Sequence, residues 1–480
     1  MFINSGRRLR HLQISSCPRL VLPAQAVSAE AHLVTISISE VRHVEVHSEA
    51  LTVSHLRQLN LSSCEVVTFQ SNSVKAGLID SPLVDLRLTE VEKAVVKGRA
   101  FSSLRSFVAT DVGEVSLEQH AFQLKVNTDQ PTIIIRFINV SIPSLSSSVF
   151  PSSFKEISIE NSRIEKIATN AFSGLFISNI SFTGTNIQKI ERGAFSNSAA
   201  ISQLSFVRCN ISSLSQRSVV AGVSTFILTH SEIQSMSKHG AINATVASVR
   251  IEHNRFKTLA TESLQFVSWD EVIIHNNTFD FVEQGAINAI KAPSEDSKAS
   301  FTFTNNHIVD ANLKSLVTQI PASVSFEVSD NSFWKKCDCN METYVKSICG
   351  FSALSTPFLD LTLSLQASSS CRLSPRDSPC FPLLSSSLLP DYQEMLCQPG
   401  PKPACTKQSL EEEEDVVMVD DQDINMSTIT DQFVLLFQVK TTKGILLFLL
   451  FCVLTSVATV TICVAAIWVH RSADTNTRQH

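Results

Sequence analysis

The sequence predicts an α/β-type repeat solenoid in which each turn lays one short strand into a parallel sheet. Three observations predict it. An apolar pattern recurs at a near-constant period through residues 9–335. A short polar or thiol side chain recurs at one offset within that pattern. Where the pattern stops, cysteines begin to cluster.

The period is clearest from Phe154 onward. Apolar residues fall at Phe154, Ile157, Ile159, Ile164 and Ile167, then at Ile177, Ile180, Phe182, Ile187 and Ile190, then at Ile201, Leu204, Phe206, Ile211 and Leu214. Taking the second of each set as an anchor gives Leu12, Ile36, Leu59, Leu86, Phe107, Ile135, Ile157, Ile180, Leu204, Phe226, Val249, Val272, Phe301 and Phe326. These make about fourteen units, mostly 21 to 25 residues apart, with insertions before Leu86, Ile135 and Phe301. Such a period stacks one supersecondary unit on the next, so that neighbours bury what none buries alone.

Five residues past the anchor stand Cys17, Cys64, Ser162, Thr185, Cys209, Ser231, Asn254, Asn277, Asn306 and Asn331. A residue that turns inward at this point must satisfy the backbone of the adjacent turn, because an unpaired buried group costs ~1–3 kcal/mol. This assigns Cys17, Cys64 and Cys209 to a buried ladder rather than to a disulfide or metal set. An Ala-Phe pair also recurs, at Ala100-Phe101, Ala121-Phe122, Ala171-Phe172 and Ala194-Phe195, with Val149-Phe150 as a variant. One per turn, these rings predict a phenylalanine spine on the convex side.

The motifs NAFSGL at Asn170–Leu175 and RGAFSNS at Arg192–Ser198, with NSFWKKCDCN at Asn331–Asn340, resemble the extracellular leucine-rich-repeat family and its cysteine-rich C-terminal cap. The cap motif departs from the family's Asn-Pro-x-x-Cys-x-Cys in having Ser332 for proline and two extra residues before Cys337. The resemblance implies a horseshoe with its parallel sheet on the concave face. It also implies a cap tied by disulfides drawn from Cys337, Cys339, Cys349, Cys371, Cys380, Cys397 and Cys405, in a pairing left open. No N-terminal cap is visible, and an uncapped array from Leu9 would expose Leu12, Ile14 and Leu33. With the absence of an apolar leader in MFINSGRRLRHLQI, this leads to the expectation that the true start precedes Met1.

The remaining organisation follows from composition. Residues 336–408 read as the cysteine-rich cap and an irregular Ser-, Leu- and Pro-rich region. Residues 409–443 read as a juxtamembrane stalk, with nine acids and no Lys or Arg between Glu411 and Asp431. Gly444–Val469 runs without a charge, is flanked by Lys443 and Arg471, and carries Trp468 near its end. It reads as one transmembrane helix. Residues 470–480 are then a short cytosolic tail. Small residues at Gly444, Ser456, Ala458 and Ala465 would let a membrane co-receptor pack against that helix.

Seven Asn-x-Ser/Thr sequons, at Asn60, Asn139, Asn179, Asn210, Asn243, Asn276 and Asn425, all precede Gly444. With the clustered cysteines they place the N-terminal part outside the cell, in a single-pass plasma-membrane protein. Net charge is −6, and outside the acidic stretch the chain is close to neutral, so nothing favours nucleic acid. No nucleophile elbow, P-loop, zinc motif or kinase signature occurs, and no cofactor is expected. A flat, hydroxyl-rich sheet face suits an extracellular protein or glycan ligand. The repeats anchored at Leu204 through Val272 are the preferred contact region, with Ser205, Thr225, Thr229, Arg250, Glu252, His253, Glu271 and His275 as the candidate ligand face. His230, His253 and His275 should be neighbours across adjacent turns, as a polar edge or as a pH-sensing or weak metal patch. Cell-surface recognition is the expected function. A shed coat or matrix protein is the alternative, and a carbohydrate-active enzyme on a parallel β-helix the remote one.

Overall fold

The structure is a computed structural model and describes residues 9–28, 31–76, 83–124, 132–240, 242–267, 269–287, 299–316, 324–350, 361–381 and 385–399. All of them belong to one compact unit, Met1–Gln408. The stalk, the apolar stretch 444–469, the tail, Cys405 and Asn425 lie outside the described residues. Among the described residues no helix is long and apolar enough to cross a membrane.

The unit is a β-solenoid built on parallel pairing throughout its repeats. All fourteen anchors stack in one ladder without a slip: Leu12 opposite Ile36, Ile36 opposite Leu59, and so on through Val272, Phe301 and Phe326. The register is enforced because side chains alternate across a strand. A shift by one residue would turn every anchor outward.

The expected α/β character is corrected. Between each first strand and the next runs a second parallel ladder, from Arg19–Leu22 through Arg163–Ile167, Asn186–Ile190 and Asn210–Leu214 to Ser332–Lys336. A third row of bridges links Phe150, Phe172, Phe195 and Val219. Among the described residues, helices occur only after the repeats. The reason lies in the corners. At the fourth residue past every anchor, from Ser16 and Glu40 to Asn305 and Asp330, φ is positive, and so it is at the thirteenth past every anchor but Phe326, from Gln25 and Glu49 to Gly285 and Lys314. Two left-handed residues per turn interrupt any right-handed helical run at both corners. Corner amides instead donate to carbonyls at or beside the next turn's corner, as Asn161 N does to Thr183 O at 2.8 Å and Asn170 N to Gly193 O at 2.8 Å.

Two columns fill the interior. Phe101, Phe122, Phe150, Phe172 and Phe195 form a continuous stack with centroids 4.8 to 5.8 Å apart. The polar ladder is the second. Asn254, Asn277, Asn306 and Asn331 are buried, and each Nδ2 donates to the carbonyl of a residue in the preceding turn, at 2.7 to 3.0 Å. Each Oδ1 accepts the backbone N–H of the preceding ladder residue at 2.9 or 3.0 Å. Ser162, Thr185, Cys209 and Ser231 continue it. The four turns without a polar residue carry Val41, Val91, Val112 and Val140, all buried. Burial pushes the Cys209 thiol up to about 11, as befits a packed thiol and not a reactive one.

At the far end the last repeat is plugged by helices α1 (Met341–Cys349) and α2 (Leu361–Ser368), with Val345, Ile348 and Leu365 buried. Disulfides join Cys337 to Cys371 and Cys339 to Cys397. Cys380 is also disulfide-bonded, and Cys349 is buried. At the near end Leu33 is buried and Leu12 and Ile14 half-buried. The exposure expected of Leu33 is thus corrected, since the first turn already covers the second.

Candidate functional site

On the first ladder, residues one before, one after and three after each anchor point away from the core. Seven of the eight candidate ligand-face residues fall in these columns: Thr225 and Glu271 one before, Ser205 and Arg250 one after, and Thr229, Glu252 and His275 three after. His253 stands next to them at the left-handed corner, with φ 57°. Parallel pairing therefore brings residues from four turns into one patch.

Ser205 is the exception to its availability. It is buried, and its Oγ reaches the Ile180 carbonyl at 3.5 Å. Serine is too short to clear its neighbours across a closely spaced sheet, about 4.8 Å between strands. Within these four turns the exposed residue of that column is Arg250, flanked in register by half-buried Ile227 and Ile273. Arg250 Nη2 is 3.7 Å from Glu271 Oε2, an oxygen that also accepts from Ser248 Oγ at 2.9 Å. The patch is thus an aliphatic–arginine centre within a hydroxyl and carboxylate rim, less uniformly hydroxylic than composition implied.

The histidines do meet. The His230 and His253 rings stack at 4.7 Å, and His275 meets His253 edge-on at 5.8 Å. Asn276 Nδ2 donates to His253 Nδ1 at 2.7 Å, and His275 Nδ1 lies 2.9 Å from Thr304 Oγ1. Beside them an open groove of about 420 Å³ is lined by His230, Glu232, His253, Arg255, Asn276 and Thr278. Among the described residues no three His, Cys, Asp or Glu side chains converge as a metal site would need.

The sequons separate by position. Asn139, Asn210 and Asn276 are exposed and lie four, six and four residues past the anchors Ile135, Leu204 and Val272. Asn139 and Asn276 stand at the left-handed corner after the first ladder and Asn210 opens the second-ladder strand just past it, and consecutive members are three turns apart, roughly 14 Å at the usual strand spacing. Asn60 and Asn179 lie instead within the first ladder, half-buried. Asn243 lies in the strand Ile242–Glu252, and its side chain is outside the described residues. Site-by-site mass spectrometry of glycopeptides from the secreted or membrane-expressed chain should find Asn139, Asn210 and Asn276 occupied. Three empty sites would overturn this expectation.

The sequence reading missed the corners. Gly184, Gly193, Asn72, Asn139, Asn161, Asn170 and Asn276 all stand at corner positions. That recurrence of Gly and Asn at two offsets is the signal that would have revealed them.

No protein-family model matches the chain, and no curated protein is similar to it.

Proposed function

We propose that this chain is a cell-surface recognition protein, a leucine-rich-repeat ectodomain on a single membrane helix, that binds an extracellular protein or glycan through the outer face of its first ladder. The observation that carries the reading is the patch around Arg250. A rigid, in-register sheet holds an arginine between two isoleucines, ringed by Thr225, Thr229, Glu252, Glu271 and His275. An arginine and aliphatic centre inside a polar rim is the arrangement from which protein interfaces draw most of their affinity. The sequons, the disulfide-tied cap and the apolar stretch 444–469 support the compartment and the anchor. Small residues along that stretch, at Gly444, Ser456, Ala458 and Ala465, support packing against a membrane partner.

A strand-rich turn also suits a parallel β-helix enzyme. Such a site needs free carboxylates clustered across turns. Here Asp85, Glu156 and Glu271, the acids one residue before their anchors, are engaged by Arg105, Arg136 and Arg250, and Arg105 holds the Asp85 carboxyl below its usual range. This favours binding over hydrolysis.

The test is the full chain displayed on cells, screened against extracellular proteins and glycans, then repeated with Arg250→Glu. Binding should fall at least about tenfold, the worth of one lost central contact. Undiminished binding would move the site off this face. A chain that binds nothing while a C-terminal epitope stays intracellular would favour the coat or matrix reading.

A further inference from the structure

A cavity of about 670 Å³ lies at the junction between the last repeat and the cap, apart from the patch above. Its origin is a break in register. In the strand Ser332–Lys336, Phe333 pairs with Cys371 but Lys336 pairs with Arg372, so Trp334 and Lys335 bulge out of the ladder. A bulge re-aims side chains, and here it aims an indole at the surface. Trp334 is 51% exposed. The Arg372 guanidinium lies over its ring, 4.7 Å from the centroid, and His307 meets it edge-on at 5.6 Å.

Closing the solenoid does not require this tryptophan. Phe333, Val345, Ile348 and Leu365 already form the buried plug beneath it, with Tyr344 edge-on to Phe333 at 5.9 Å. A half-exposed indole beyond a complete plug is free to bind. The Cys337–Cys371 disulfide, with Cα atoms 5.2 Å apart, ties the bulged strand to the strand that carries Arg372, so the two groups are held ready for a ligand.

The chemistry of the lining selects the ligand. No Asp or Glu lines the cavity among the described residues, so the Arg372 charge is offered to an anion. Stacked on indole, a guanidinium keeps its N–H edges available for a bidentate carboxylate. Five of the lining residues are serines, which suits a polyhydroxylated ring better than a hydrocarbon one. The volume lies within the usual range of small-ligand sites, about 300–1,000 Å³. Burial holds the His307 imidazole below its ordinary pKa, so near neutral pH it adds hydrogen bonding rather than charge.

We propose that this cavity binds an acidic sugar, a single pyranose carrying one carboxylate, with Arg372 taking the carboxylate and Trp334 packing against the apolar face of the ring. The site is independent of the first-ladder face, and its test does not depend on that reading. The full-length chain is titrated with N-acetylneuraminic acid and with glucuronic acid, followed by ligand-observed NMR, with galactose and acetate as the neutral-sugar and bare-anion controls. At least one acidic sugar should bind at least about tenfold more tightly than either control. Arg372→Gln and Trp334→Ala should each weaken it at least about tenfold, whereas Trp334→Phe, which keeps an aromatic face, should retain most of the affinity. If Trp334→Ala fails to fold, the contrast between Arg372→Gln and Trp334→Phe carries the test. Acetate binding as tightly as the sugars would mean a plain anion site, and galactose binding as tightly would mean a site blind to charge. Either result overturns the proposal, as does binding unchanged in Arg372→Gln or no saturable binding at all.

Discussion

Phe172→Ala should destabilise the solenoid by about 3–5 kcal/mol, the usual range for deleting a buried aromatic ring. The ring is fully buried. It stacks on Phe150 at 5.2 Å and on Phe195 at 4.8 Å with planes within 3°, and meets Phe182 edge-on at 6.2 Å. Removing it opens a gap in the middle of a five-ring column, where rows already in contact above and below cannot collapse to fill it. Because each turn touches only its neighbours, the damage should concentrate in the turns anchored at Ile157 and Ile180. Hydrogen exchange would read this as lost protection there and little change near Leu59 or Phe301. Phe172→Leu should recover a large part of the loss. A uniform loss along the chain, or none, would contradict the stacked-column account.

Asn277→Leu is the second large expected effect. Asn277 Oδ1 accepts from Asn254 N and from Asn254 Nδ2, each at 3.0 Å. Its Nδ2 donates to Ile251 O at 2.8 Å, His275 O at 3.0 Å and Asn306 Oδ1 at 3.0 Å. Leucine would fill the volume but leave the Asn254 amide and the Ile251 carbonyl buried without their partners. At ~1–3 kcal/mol for each of the two groups, the total is about 2–6 kcal/mol. The comparison variant is Thr185→Val, which loses bonds to Ile159 O and Thr183 O at a position whose counterparts Val112 and Val140 show that the slot tolerates valine. Its cost should be nearer ~1 kcal/mol. Equal melting shifts for the two variants would show that the asparagine run gains nothing from being continuous.

How much of this was legible in the sequence depends on how local the cause is. The anchor register was readable from Leu12 to Phe326 because a buried strand face writes itself as a fixed apolar spacing. The ladder from Ser162 to Asn331 was readable because only short polar side chains can serve a buried backbone. The Phe101–Phe195 stack was readable for the same reason, one bulky residue per turn at one offset. The cap cysteines were legible as a set, whereas the Cys337–Cys371 and Cys339–Cys397 pairs depend on where α1 and α2 return the chain. The α/β character expected of the repeats gave way, among the described residues, to turns made of strands and corners. Glu40, Arg99, His120 and Arg217 hold left-handed corners that none of those residues favours alone. The cost, about 1–2 kcal/mol for each such residue, is offset by hydrogen bonds between turns that exist only once the turns are stacked.

The candidate surfaces divide in the same way. That Thr225, Arg250, Glu271 and His275 share a face follows from strand alternation and could be read residue by residue. That Ser205 is covered while Ile227 and Ile273 flank an exposed arginine could not, because exposure depends on the lengths of neighbours in other turns. Trp334 and Arg372 stand 38 positions apart in the chain, and only the bulge after Phe333 puts one over the other. The sequence by itself determined the repeat, its register and its inner columns, since these arise from spacings within one turn and from burial that any stacking must provide. The tertiary structure alone decided the left-handed corners, the disulfide partners and the two surfaces that offer chemistry, since these arise from contacts between turns that no local pattern encodes.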